Sequence, residues 1–115
     1  MIITVFSSSR YKINRKLIKA KAVEVLGEHG AQKDTTLSIA FVGKNKMRTV
    51  SKTYKDENEA LPVLSFPFNE KRADGLFLGE ILICYPQAVL MAAHKNKRVD
   101  DIINFLVQHG IENFY

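Results

Sequence analysis

Few side chains in this 115-residue sequence could do chemistry, and most of those are cations. Residues 1–55 hold 12 Lys/Arg against 3 Asp/Glu, a net of +9, whereas residues 56–115 hold 5 against 9, a net of −4. A basic half beside an acidic half points to a polyanionic partner on one side, with a solvated surface as the plainer reading. There are 3 histidines and 1 cysteine. His29 and His94 fall at expected helix ends, where the helix dipole favours an imidazole. His109, followed by Gly110, has by itself the form of an ordinary helix C-terminus. Cys84 closes the apolar run Ile81-Leu82-Ile83-Cys84, the setting of a small core residue, and a lone cysteine excludes an internal disulfide. Ser65 has no base in view and is not a nucleophile candidate.

The elements that must position these groups follow from periodicity. Met1–Phe6 is β-branched and short, a first strand. Asn14 can cap a helix running to about Leu26, with Leu17, Ile18, Ala22, Val25 and Leu26 as its apolar stripe and Gly27 and Gly30 as its stop. Lys12, Lys16 and Lys19 recur at i, i+4 and i+7 with Arg15 beside them. This row is a candidate phosphate-facing surface, and a solvated helix face would show the same pattern. Thr35–Val42 alternates as a half-buried strand. Asn45 can cap a second helix whose apolar side is Met47, Val50 and Tyr54.

After a polar loop, Lys55–Ala60, the run Val63–Phe68 reads as a strand, with Pro67 at its end or on a sheet edge. Asn69–Gly75 reads as a charged loop and Glu80–Tyr85 as a strand. Pro86 suits the first turn of a helix to about His94, and Lys95–Arg98 forms a basic break. Asp100 and Asp101 open a last helix whose apolar side is Ile102, Ile103, Leu106 and Val107. The order β-α-β-α-β-β-α-α predicts an α+β fold: a mixed sheet of about four strands with packed helices, in one domain over residues 1–115. No stretch reaches the roughly 20 apolar residues of a membrane span, and the N-terminus lacks the form of a secretory signal, which points to the cytoplasm.

Three segments carry more than periodicity: Val63-Leu64-Ser65-Phe66-Pro67, then Leu78-Gly79-Glu80-Ile81-Leu82-Ile83-Cys84, then Leu106-Val107-Gln108-His109-Gly110. Together they resemble the YbeY-type endoribonucleases. That family has a T-D-V-L-S-F-P strand, an L-G-D-I-x-I-C strand and a helix ending in H-G-x-x-H-x-x-G-Y-D-H. Leu37–Val42 and a helix ending near Tyr54-Lys55 fit its second strand and helix.

The resemblance implies a metal-dependent endoribonuclease acting on ribosomal RNA or the small ribosomal subunit, in 16S end maturation and ribosome quality control. It also implies a zinc ion held by three histidines. Two histidines one turn apart can grip one ion, a third completes a site open to water, and the bound water supplies hydroxide near neutral pH. His109 matches the first of the three. Asn113 stands at the second, and the third would fall beyond Tyr115. An Asn carbonyl is a poor zinc ligand beside imidazole. Lys55 stands where the family has Arg, keeping the charge without the bidentate grip on phosphate, and is the residue the resemblance marks as catalytic. Leu61-Pro62 replaces T-D, and Glu80 replaces Asp.

Phosphate contacts are expected from Lys12, Arg15, Lys16, Lys19, Lys44, Lys46, Arg48 and Lys55. Two functions remain open: RNA cleavage with the metal site completed by something outside this pattern, or a non-catalytic RNA- or ribosome-binding factor on the same scaffold.

Overall fold

The computed structural model describes Met1–Tyr115. Four strands, β1 (Ile2–Phe6), β2 (Thr35–Val42), β3 (Val63–Arg72) and β4 (Gly75–Cys84), form one sheet in the order β1-β2-β4-β3. Four helices, α1 (Arg15–Glu28), α2 (Lys44–Lys55), α3 (Tyr85–Lys95) and α4 (Val99–Glu112), complete the expected order. β1, β2 and β4 run parallel, and β3 pairs antiparallel with β4 on the outer edge. α2 therefore does not cross between neighbouring parallel strands. It links β2 to the far edge, and β4 then returns into the gap beside β2.

Alternation along the strands sends successive side chains to opposite faces. Ile39, Ile81 and Ile83 join a cluster of 19 buried residues with Ile18, Ala22, Val25 and Leu26 of α1 and Ile102, Ile103, Leu106, Val107 and Ile111 of α4. Leu82 and Cys84 point the other way, into a cluster of 5 with Met47 of α2, Ala60 and Leu64. One side of the sheet is thus packed under α1, α3 and α4. The other carries α2 alone, and Ile2 and Phe6 of β1 lie on the surface, 57% and 55% exposed.

Local signals worked where one side chain decided the outcome. Asn14 caps α1 by accepting from the Leu17 N–H at 3.0 Å. Asp100 and Asp101 sit in the first turn of α4, and Pro86 in that of α3. Other expectations gave way to packing. Gly27 lies inside α1, whose C-terminal cap is His29, with Gly30 left-handed at φ 76°. Lys12 precedes α1, so the row continues along the helix only through Arg15, Lys16 and Lys19. Asn45 is not the cap of α2; that is Gly43, without a side-chain hydrogen bond. Leu17 and Tyr54, assigned to apolar stripes, are 37% and 65% exposed.

The charged stretch after Phe68 is strand as well. β3 continues through a bulge after Pro67, and Arg72 pairs with Gly75 across a tight turn. Strand alternation is hard to read there because Asn69–Arg72 has no apolar face, and its pairing with β4 supplies the order.

Candidate nucleic-acid interface

α2 has the sequence KNKMRTVSKTYK, with five cations and no acid. The only ion pairs in the structure are Lys21–Glu24 and Glu70–Arg72, so none of these five is neutralised within the chain. Met47 and Ser51 anchor the helix at 0% exposure. Ser51 is polar, and its burial has a purpose: its Oγ accepts from the Leu61 N–H at 3.2 Å. The Gln87 side-chain amide donates to the Ala60 carbonyl at 2.6 Å, and the Cys84 N–H donates to that of Pro62 at 2.9 Å. Three bonds thus fix the loop between α2 and β3, and with it the position of Leu61 beside Lys55.

The last turn of α4 is set by a close approach. A Cβ on Gly110 would stand 2.8 Å from Ile81 Cγ2, so only glycine lets α4 lie this close to the sheet. The same approach lets Ser65 Oγ donate to the Gly110 carbonyl at 2.7 Å. Ser65 is therefore a hydrogen-bonded strut between β3 and α4. Gly110, which in sequence has the form of a helix stop, lies within the helix.

The C-terminal end of α2, the start of β3 and the end of α4 enclose a cavity of about 420 Å³ lined by Lys55, Leu61, Val63, Leu64, Ser65, Pro67 and Asn113. Lys55 and Asn113 therefore meet in one cleft. His109 does not line it. It opens instead into a smaller cavity of about 280 Å³ with Pro62, Met91, Phe105 and Leu106, sharing Leu61 and Val63 with the first. Its imidazole is exposed and stacks on Phe105 one turn back, with centroids 6.3 Å apart. His29 stacks on Tyr115 at 4.5 Å, far in role from either cavity, and His94 lies in the last turn of α3.

The fit to zinc can be read from the donors present. No group of three His, Cys, Asp or Glu side chains is placed to hold an ion. His109 has the Asn113 amide one turn on, a poor partner for zinc. These residues do not make a three-ligand site.

The phosphate candidates divide between the two sides of the sheet. Lys16 and Lys19 are exposed on α1, and Arg15 donates to the Val5 carbonyl. Lys44, Lys46, Arg48 and Lys55 are exposed on α2, across the sheet from α1. Lys52, on the same helix, escaped sequence reasoning; an acid-free helix is the signal that could have found it.

A model of the family described as endoribonuclease YbeY matches residues 4–112. The chain belongs to the YbeY family. It is 31% identical over 94 residues to endoribonuclease YbeY of Anaeromyxobacter dehalogenans, a match covering 82% of this chain and 48% of that protein. With the protein of the same name from Thermodesulfovibrio yellowstonii it shares 36% identity over 76 residues, covering 65% of this chain and 48% of the relative. The chain thus spans about half the length of these curated YbeY relatives. The solution structure of a Thermotoga maritima protein superposes with a TM-score of 0.61 over 96% of this chain and 69% of that one; at 19% identity, the likeness is one of fold. No helix of this YbeY-family chain is long and apolar enough to cross a membrane.

Proposed function

We propose that this chain is a ribosomal-RNA maturation factor that holds its RNA along α2, with the backbone entering the cleft between Lys55 and Asn113. The observation that carries this reading is α2 itself. Five unneutralised cations on one helix form a backbone-tracking surface, and the helix ends at a cleft sized for a few polar groups. The relatives are named endoribonucleases, which supports RNA as the polyanion held on α2. Lys55 there is a point charge for a phosphodiester oxygen, and Asn113 offers an amide on the opposite wall. Such a factor acts in the cytoplasm, on ribosomal RNA or the small subunit.

Within this reading, binding is the function that the chain's own residues support, and cleavage requires ligands beyond His109. The non-catalytic alternative is favoured by that single imidazole. Two assays separate the readings. Affinity for a structured ribosomal RNA fragment is measured across salt concentrations. A steep fall in affinity supports phosphate tracking, and a flat response overturns it. RNA cleavage is then followed with and without added Zn²⁺. Zinc-stimulated cutting abolished by His109→Ala establishes the nuclease; unchanged RNA in every lane leaves the binding factor.

A further inference from the structure

On the α2 side of the sheet, a second cavity of about 440 Å³ opens next to the Lys55 cleft. Its walls are aromatic: Tyr54 of α2 with Phe66 and Phe68 of β3. Tyr54 and Phe68 are 65% and 54% exposed, which is costly for large rings facing only water. Both rings are braced from behind. Tyr54 meets Phe66 edge-on at 5.1 Å, and Phe68 meets Phe77 edge-on at 5.3 Å. Phe77 in turn lies 4.0 Å below the Arg72 guanidinium.

The floor is formed by Leu82 and Glu80. Glu80 is half-buried, its cross-strand neighbours are Ser38 and Phe66, and neither ion pair of the structure involves it. A carboxylate without a cation, at the base of an aromatic-walled cavity, suits a flat ligand whose edge carries N–H donors.

The geometry points to an unpaired-nucleobase subsite that prefers guanine. It rests on the RNA reading above and names the part of the strand that is read. Tyr54 and Lys55 are consecutive, so the wall of this cavity and the cation of the cleft beside it are one residue apart. A single strand whose phosphate engages Lys55 presents a neighbouring base to Tyr54 and Phe68. Stacking on such rings tolerates any base. Glu80 is what discriminates. Guanine offers two adjacent donors, N1–H and the N2 amino group, to the two carboxylate oxygens, whereas uracil offers only N3–H.

The test is fluorescence anisotropy with labelled RNA hexamers: all uridine, or uridine with one central guanosine or one central adenosine. The wild-type chain is expected to bind the guanosine hexamer about tenfold tighter than the uridine one, the discrimination of a good bidentate contact. Glu80→Gln keeps the shape and is expected to lose that preference, bringing the guanosine hexamer to within about twofold of the uridine one. A gain for the adenosine hexamer would add support, since a side-chain amide pairs with adenine. Phe68→Ala, at an exposed position, is expected to weaken all three hexamers together. Equal binding of the three by the wild type overturns the subsite and leaves the RNA reading standing. Unchanged guanosine preference in Glu80→Gln also overturns it. Binding of no hexamer, even at low salt, overturns both.

Discussion

The two sides of the sheet are built for different tasks. Under α1, α3 and α4, nineteen buried apolar residues close a continuous core, whereas the apolar cluster on the α2 side has five. Both sides carry basic helices, but the aromatic-walled cavity and the cleft at Lys55 both adjoin α2, whereas the cavity beside α1 is lined by Lys21 with Glu24, Asn104, Leu17 and Ala20. In the reading proposed above, the face that is incompletely covered is the face that binds RNA. Stability is concentrated on one side, and the groups with chemical potential on the other.

Removing core atoms from the packed side is the strongest way to probe this division. Ile103→Ala, at a position 1% exposed, is expected to cost about 2–5 kcal/mol in urea unfolding. Tyr54→Ala is expected to leave the midpoint nearly unmoved. Comparable losses from the two would break the division. Gly110→Ala comes next, because its methyl overlaps Ile81 and pushes α4 off the sheet. A loss of about 1–3 kcal/mol is expected, with weakened RNA binding as the Asn113 wall shifts. Unchanged stability would show that the close approach is not needed.

Ser65→Ala removes the strut to the Gly110 carbonyl and is expected to cost about 1 kcal/mol by the same measurement. Any weakening of RNA binding is expected to be smaller than that of Gly110→Ala, because the close approach of α4 to the sheet remains.

The smallest effect concerns Cys84. Burial pushes its thiol above the ordinary value of 9.0, partly offset by the Gln87 backbone N–H and by Lys44. A raised folded-state pKa means the native state holds the proton more tightly. Its stabilising contribution is full below the unfolded thiol's pKa and is lost as pH rises through the folded one. Stability is therefore expected to decline slightly faster above about pH 9 in the native chain than in Cys84→Ala. Parallel pH profiles would contradict that.

Much of this architecture could be read from the sequence, and the exceptions have physical causes. The order of elements, the Asn14 cap, the acidic start of α4 and the burial of Cys84 each rest on one residue type in one local setting. The extent of β3 depends on its pairing with β4, and the start of α2 falls on Gly43, where a Cβ would stand 3.2 Å from the Tyr11 hydroxyl; no local pattern reports either. The site divides in the same way. Lys55 and Asn113 were named from family resemblance, and the fold places both in one cleft. That His109 opens on the other side of Leu61 and Val63, and that α1 and α2 lie across the sheet from each other, are consequences of topology. Glu80 drew notice only as a replacement for Asp; its place at the base of an aromatic cavity appears once β3 and β4 are paired.

The central claim is that RNA is held on the α2 side, and one paired comparison tests it most directly. The affinity of the full chain for a ribosomal RNA fragment is measured for Arg48→Glu/Lys52→Glu/Lys55→Glu and for Lys16→Glu/Lys19→Glu, at one fixed salt concentration. The α2 variant is expected to lose at least about tenfold, with a shallower salt dependence, while the α1 variant stays within about twofold of the native chain. An equal loss from both, or a greater loss from the α1 variant, would contradict the assignment.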